Sequence, residues 1–438
     1  MSDAAITAPA IQLPADVKAH RTYALFILTV AYTSNYLDRS IVGILAEPIK
    51  KELLLSDTEL GLLTGFAFAM FYATLGIPIA LLSDRANRRN IIAVAIAVWS
   101  VMTALCGAAQ NYTQLLVARI GVGIGEAGAS PPSHSMIADM YAPQERSRAL
   151  AIYALGVYIG GMLGFLIGAY VSTKWGWRAA FYVVGLPGLL IALLVWLTVK
   201  EPQRGLADGL DLAHRPKRTW SETMRDLRAA FLFMWRSKAC RHIVIGVTLT
   251  SFVGYGGVMW AAPFLERSFG IPRLEVGVIL GPIVGFLGGF GVVVGGYLAD
   301  RLSKIHLRWN AWIIGIAKFA AAPLILGFYL TSDFNTALLF YFPAAVLGAF
   351  YLGPSFAIVQ SVGPLAMRAT LAAIMLFILN FIALGFGPLA VGIVSDLLKP
   401  TFANESLRYA LMGTSLLNIW AGIHFMLAGS AYAREMKK

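Results

Sequence analysis

The chain has 438 residues, of which 58% are hydrophobic and 13% are charged, and its mean hydropathy is +0.70. A water-soluble domain of this length carries about twice that charged fraction, so the composition excludes a water-soluble fold. The net charge of +12 would suit a nucleic-acid-binding protein only if the basic residues gathered on one folded surface.

Long apolar segments follow one another along the whole chain. A helix needs about 20 such residues to cross about 30 Å of hydrocarbon, and these segments are too long and too continuously apolar for barrel strands. Twelve can be counted, near 22–47, 58–83, 90–109, 113–138, 148–173 and 178–199 in the first half and 241–266, 275–299, 309–330, 336–361, 368–397 and 406–431 in the second. The sequence therefore predicts an all-α membrane protein with twelve transmembrane helices in two six-helix bundles.

These segments set the expected domain boundaries. We expect an N-terminal segment at 1–21, an N-terminal bundle at 22–199, a linker at 200–240, a C-terminal bundle at 241–431 and a tail at 432–438. The first twenty residues lack the apolar core of a cleaved signal peptide. Within the linker, residues 221–236 have the pattern of an amphipathic helix lying on anionic headgroups, and the alternative is a solvated strap between the bundles.

The positions of the basic residues predict the orientation. With the N-terminus in the cytoplasm, 24 of the 35 Lys and Arg residues lie on the cytoplasmic side and eight on the other, while Arg39, Arg119 and Lys318 lie within spans. This bias predicts that both termini are cytoplasmic, and it argues against a nucleic-acid role. The basic residues set the topology.

A short charged motif occurs once in each half of the chain. It follows the second and the eighth spans, and its residues are Asp84, Arg85, Arg88 and Arg89 in the first copy and Asp300 and Arg301 in the second. The two aspartates are 216 residues apart, as expected for two equivalent six-helix halves. A carboxylate at a helix end can accept hydrogen bonds from a neighbouring helix and pair with arginine, so the recurrence favours a gating latch over a purely topological charge.

This motif resembles the signature of the major facilitator superfamily between helices two and three. That signature is a small residue, three apolar positions, Asp, Arg, any residue, Gly and further basic residues. In this sequence Ala80 stands at the first small position and Asn87 at the usual second Gly. The resemblance implies a six-plus-six carrier.

Ionisable residues inside the spans are the strongest functional signal, because each costs several kcal/mol in a bilayer. Asp38 lies about 24 Å along the first helix and Arg119 about 9 Å into the fourth, at similar depth, and Glu126 follows two turns later. The three residues could line one cavity, where a carboxylate beside a movable arginine would couple transport to protons. The alternative is a permanent Asp38–Arg119 pair with a hydrogen-bonded Glu126. Arg39 points about 100° away from Asp38 and should face another helix or snorkel outward.

Two segments narrow the resemblance to the spinster branch of the superfamily: NYLDR at 35–39 and ARIGVGIGEAGASPP at 118–132. The resemblance covers essentially the whole chain. It implies a proton-coupled carrier of lysophospholipids or sphingosine-type lipids. The branch also includes bacterial members, which the compact loops of this chain suit better, so the resemblance implies the inner membrane of a bacterium. It also implies that the first-span Asp and the fourth-span Arg and Glu act in coupling and substrate binding, and these match Asp38, Arg119 and Glu126.

Several other residues in the spans are weaker candidates. His134 could relay protons or cap a broken helix, and Lys318 could bind an anionic headgroup, snorkel, or have an internal partner. Tyr255, Trp260 and Asn380 could contact substrate, although aromatic residues in spans often serve packing or interface anchoring.

Glycines on a four-residue repeat occupy one face of the fifth span: Gly156, Gly160, Gly164 and Gly168. Such a stripe predicts close helix packing. It could form a pliable interface between the halves, which glycines and a proline of the eleventh span support (Gly385, Gly387, Pro388 and Gly392), or it could be static packing.

No enzyme constellation is visible in the sequence. There is no P-loop, metal-ligand cluster or nucleophile with a placed base, and the run 121–128, GVGIGEAG, lies inside a span with no strand before it. We expect no cofactor and no metal. The sequence predicts a monomeric, proton-coupled secondary transporter working by alternating access on a small amphipathic solute among membrane lipids. The alternatives are a carrier of organic anions or drugs, and a lipid scramblase or membrane-embedded lipid enzyme.

Overall fold

A computed structural model describes residues 14–83, 85–208 and 220–437, and within these ranges all regular structure is helical. The N-terminal bundle begins with α1 (Ala15–Leu53), α2 (Asp57–Ser83) and α3 (Arg88–Ala108). Its fourth helix is broken into α4a (Tyr112–Glu126) and α4b (Ser130–Met140). The run Pro143–Thr198 holds both α5 and α6, which separate at Gly176, where φ is +83°.

The C-terminal bundle repeats this arrangement after the linker. It contains α7 (Lys238–Phe269), α8 (Arg273–Ser303), α9 (Trp309–Leu330) and α10 (Phe334–Val362). The run Arg368–Glu435 holds α11, which ends at Phe402, and α12, which resumes at Ser406. We call the side of the molecule where α1 begins and α12 ends the terminal side, and the opposite side the far side.

The number of helices agrees with the sequence prediction. Eight helical runs among the described residues are long and apolar enough to cross a membrane. Two of these runs each contain two spans, and α1 and the broken α4 supply the remaining two. The prediction of an all-α membrane protein with twelve helices in two bundles is confirmed.

Side chains near the span ends explain where the helices begin. Ser56 and Glu59 form a reciprocal capping box at the start of α2, and Asn87, Asn111 and Ser237 each accept a backbone N–H at the starts of α3, α4a and α7. Each cap satisfies a backbone donor that the first helical turn leaves without a partner.

The two bundles meet along α2–α11 and α5–α8, where glycines allow backbones to touch. A Cβ atom on Gly61 or Gly65 of α2 would lie 2.7 Å from a carbonyl oxygen of α11. On α8, a Cβ atom on Gly281 would lie 3.1 Å from the Met162 carbonyl oxygen of α5. Three π-helical turns interrupt α2, α8 and α11 near these crossings, at Leu62–Phe66, Ile283–Leu287 and Leu379–Leu384.

The glycine stripe of α5 does not lie at this interface. A Cβ atom on Gly164 would meet the Ser40 Cβ at 2.7 Å, and the other three glycines of the stripe likewise face α1 of the same bundle. The reading of the stripe as a pliable surface between the halves is therefore wrong. In α11, by contrast, Gly385 and Gly392 do face α2. Sequence periodicity identified the packing face, but not the helix that fills it.

The linker contains one long helix. Trp220–Arg236, the linker helix, matches the amphipathic segment predicted at 221–236. Its Ala230 and Met234 are buried in a cluster with residues of α7, α11 and α12. The linker helix therefore rests on the terminal side of the C-terminal bundle.

Candidate functional site

The structure brings the three predicted ionisable residues together inside the N-terminal bundle. Asp38 and Arg119 are each 1% exposed and Glu126 is fully buried. The charges of Glu126 and Arg119 both act on Asp38. Glu126 is the last residue of α4a, and α4b begins with prolines at its second and third positions, so the carboxylate lies at a break in the helix.

Arg39 also belongs to the cluster. The sequence analysis did not place it there. Its Nε donates to Glu126 Oε2 at 2.5 Å, and its guanidinium carbon lies 5.0, 5.0 and 4.3 Å from the ring centres of Tyr36, Phe68 and Tyr72. Snorkelling, one of the two expectations for Arg39, is therefore wrong. The direction of Arg39 relative to Asp38 on an isolated α1 did not show that α4 packs against that side of the helix. At 14% exposed, the Arg39 side chain is the most accessible charged group of the cluster.

The deeper part of the cluster carries several buried polar atoms without hydrogen-bond partners among the described residues. They include both carboxylate oxygens of Asp38, Nε and Nη1 of Arg119, Oε1 of Glu126 and the side-chain amide of Asn35. No ion pair joins Asp38 to Arg119, so the permanent pair considered from the sequence does not form here. Unpartnered buried polar groups cost free energy. An added proton or a displaced charge therefore changes the free energy of this cluster strongly.

Aromatic hydroxyls from both bundles surround the space next to Arg39. Tyr255 of α7 lies near Tyr36, Arg39 and Tyr72 of the N-terminal bundle and near Tyr351 of α10. The candidate Tyr255 is thus placed between the bundles, facing the exposed edge of the buried cluster. This arrangement offers one cation and several phenol groups to a bound solute.

Two other predicted contact residues are occupied elsewhere. Trp260 is 1% exposed and donates its indole N–H to the Pro388 carbonyl oxygen at 2.8 Å, within the C-terminal bundle. Asn380 donates to the Leu376 carbonyl oxygen of its own helix at 2.9 Å. Trp260 therefore serves helix packing, whereas the Asn380 amide is bound to its own helix and remains partly exposed.

Two weaker candidates have clear surroundings. Lys318 is buried and donates to the Gly348 carbonyl oxygen at 2.7 Å, with its nitrogen 5.0 Å from the Tyr351 ring centre, so it has an internal partner. His134 is exposed and stands edge-on to Tyr153 at 5.2 Å. It forms no hydrogen bond with a described residue, so the expectation that it caps a helix is wrong.

The charged motif on the terminal side ties elements together within the N-terminal bundle. Asp84 lies outside the described residues. Arg88 is buried and its guanidinium binds Glu201 at 2.7 Å, the Pro202 carbonyl oxygen at 2.8 Å and the carboxylate of Asp139. The backbone N–H of Arg89 donates to the same glutamate at 3.0 Å. Arg88 thus fastens α3 to α4b and to the start of the linker.

The second copy of the motif is more exposed. Arg301 donates to the Tyr297 hydroxyl at 2.9 Å, one turn earlier on α8, and Asp300 is exposed beside it. Arg85 of the first copy is also exposed. Of the ion pairs that join two described residues on the terminal side, none connects the two bundles.

The far side, in contrast, is closed by an ionic cluster between the bundles, which we call the far-side lock. Arg267 at the end of α7 donates to Glu47 of α1 at 2.6 Å and, through both terminal nitrogens, to Asp57 of α2 at 2.8 Å. Asp57 also pairs with Lys50 and accepts the Ser395 hydroxyl of α11 at 2.7 Å. One buried carboxylate therefore joins four helices.

A second carboxylate of the far-side lock comes from α11. Asp396 accepts the backbone N–H groups of Asp57 and Thr58 at 3.1 and 2.7 Å and the Thr58 hydroxyl at 2.7 Å. It lies at the N-terminus of α2, where the helix dipole favours a negative charge. The sequence analysis missed these residues because charges at span ends look the same whether they mark topology or join two bundles.

Two six-helix bundles that enclose buried charges and are tied together on one side define a polytopic membrane carrier. The Major Facilitator Superfamily matches residues 28–390, and the chain belongs to this family. It is a transporter and not an enzyme.

Its relatives place it near the spinster proteins. The chain is 33% identical over 414 residues to an MFS-type efflux pump of Mycolicibacterium smegmatis, covering 94% of each chain. It is 26% identical over 447 residues to Protein spinster homolog 1 of Xenopus laevis, covering 96% of this chain and 83% of that one. A crystal structure of a bacterial homolog to the human lysosomal transporter Spinster, inward-facing and unoccupied, superposes with a TM-score of 0.83 at 30% identity and covers 95% of this chain and 98% of that chain.

Proposed function

We propose that this protein is a proton-coupled secondary transporter that moves an amphipathic, lipid-like solute with an anionic or zwitterionic headgroup, of the lysophospholipid or sphingosine type. The observation that carries the proposal is the Arg39–Glu126 ion pair, in which the partly exposed Arg39 binds a fully buried Glu126, while Asp38 and Arg119 are themselves buried. A bound solute can replace Glu126 as the partner of Arg39, and a proton can then neutralise Glu126.

The coupling step follows from the exposure of these groups. Arg39 is the accessible cation, so an arriving anionic headgroup competes with Glu126 for its guanidinium. A buried carboxylate that loses its counter-charge is costly, so Glu126 takes up a proton. Asp38, whose oxygens lack hydrogen-bond partners, offers a second proton site beside it. Arg119 is too deeply buried to meet the headgroup first and balances the two carboxylates instead.

The proposal includes an orientation and a conformation. The excess of Lys and Arg on the terminal side places that side, with both termini, in the cytoplasm of a bacterial inner membrane. The far-side lock then closes the outer surface, so the proposed conformation is inward-facing. Similarity to the inward-facing bacterial spinster homolog supports this assignment. Alternating access requires the far-side lock to open and the terminal side to close, within a single chain acting as a monomer.

A second candidate is a carrier that exports organic anions or drugs. The relative named as an efflux pump, at 33% identity, favours it. Both candidates use the Arg39 site, and they differ in whether the solute also needs an acyl chain. Comparing a lysophospholipid with its deacylated headgroup separates them.

The test is proton movement in proteoliposomes that contain a pH-sensitive dye. We expect proton uptake or release on addition of a lysophospholipid or sphingosine phosphate to the wild type, and loss of that signal in Glu126→Gln and Asp38→Asn. Glu145→Gln is the matched control, because Glu145 is an exposed carboxylate whose partner Arg21 lies on the same bundle. Full coupled transport in both site variants would refute the assigned proton site. A solute response limited to drug-like anions would favour the second candidate.

A further inference from the structure

The linker helix has a second apolar face that the described part of the chain leaves uncovered. Ala230 and Met234 are buried against the C-terminal bundle. The other side of the helix exposes three large apolar side chains: Phe231 (48%), Leu232 (42%) and Trp235 (53%). The amphipathic pattern is therefore only half explained by packing against the bundle, and the exposed face is available to something outside the chain.

Cations accompany this exposed apolar face. At about 100° per residue, Arg228 lies near its centre and Arg225 and Arg236 flank it, about 75° and about 95° away, while Glu222 and Asp226 lie about 130° and about 170° away. All three arginines are exposed, and none forms an ion pair with a described residue. The exposed face thus combines aromatic and aliphatic groups with positive charge.

The helix lies at the level where the transmembrane helices end. Ser237 separates it from α7, whose first residue is Lys238. The Ser237 hydroxyl donates at 2.6 Å to Glu435, the last residue of α12. Since α7 begins and α12 ends at this point, the linker helix lies beside the headgroup layer of the membrane.

We propose that the exposed face of the linker helix binds anionic phospholipid headgroups of the leaflet on the terminal side. Phe231, Leu232 and Trp235 enter the boundary between headgroups and acyl chains. The arginines bind lipid phosphates, for which the planar guanidinium offers paired donors. Positive charge next to a membrane surface favours this occupant over a soluble protein. The proposal is independent of the transported solute.

The test uses the full-length protein with a spin label at Leu232→Cys. Cys106 and Cys240 are buried, so the new thiol is labelled selectively. Accessibility to oxygen and to a water-soluble nickel chelate is measured in vesicles of phosphatidylcholine, with and without phosphatidylglycerol. Lys304→Cys, in the exposed loop after α8, supplies the water-exposed reference. We expect the nickel accessibility of the 232 label to fall severalfold when phosphatidylglycerol is present.

Charge variants then test headgroup recognition. Replacing the three arginines by glutamine should abolish the dependence on phosphatidylglycerol, while the matched triple change Arg148→Gln, Lys304→Gln and Lys437→Gln should preserve it. All six side chains are exposed, so the unfolding temperature should change little and serves as the folding check. The proposal is overturned if the 232 label stays as accessible as the reference in both vesicles. It is also overturned if the 232 label is equally shielded from the nickel chelate in the two kinds of vesicle, if that shielding survives loss of the three arginines, or if it requires an added soluble protein.

Discussion

Removing Arg267 should open the far side of the transporter. In the closed state its guanidinium holds Glu47 and Asp57, and Asp57 is only 1% exposed. Deleting one partner of a buried pair costs about 3–5 kcal/mol, and the lower figure applies here because Lys50 still neutralises Asp57. About 3 kcal/mol corresponds to roughly a 100-fold shift in the balance between the two conformations. The shift favours the open state because water reaches these carboxylates there.

Distances between spin labels on the two bundles measure this shift. Labels at Lys51 of α1 and Phe402 of α11, both exposed at the far side, should move apart in Arg267→Gln. Arg178→Gln is the control, because it also removes a far-side arginine from a carboxylate, Glu52, but both partners belong to the N-terminal bundle. An unchanged distance distribution in Arg267→Gln, or an equal change in the control, would refute the role of the far-side lock.

Three further outcomes follow from individual contacts. Gly65→Ala should also favour the far-side-open state, because its Cβ would lie 2.7 Å from a carbonyl oxygen of α11. Gly76→Ala on the same helix is the control: its Cβ would meet nothing within 4 Å, so the label distances should not change. Arg39→Gln should weaken solute binding about 10- to 100-fold, the effect of losing a charged hydrogen bond worth about 1.5–3 kcal/mol, measured by solute titration; binding at wild-type affinity would contradict it. Arg88→Ala should lower the unfolding temperature, because it removes about 3 kcal/mol from the free energy of unfolding. Arg89→Gln, at a more exposed position, should not. An equal drop in unfolding temperature for both variants would contradict the stabilising role of the buried Arg88 contacts.

The sequence by itself determined the class of this protein. Low charge and repeated apolar runs required helices in a bilayer, because only a helix satisfies its backbone hydrogen bonds over such lengths in lipid. The repeated Asp-Arg motif indicated two equivalent halves. Asp38, Arg119 and Glu126 stood out because an ionisable residue in a span is costly wherever its partner lies.

Only the tertiary structure decided which charges meet. The Arg39–Glu126 pair joins residues 87 positions apart, and Arg267 reaches Asp57 across 210 positions and two bundles. The geometry of one helix predicts which way a side chain points, but not which helix packs there. For the same reason, the glycines of α5 and the indole of Trp260 revealed their neighbours only in the folded protein. A helix in lipid forms its own hydrogen bonds locally, whereas partner choice depends on packing between distant segments.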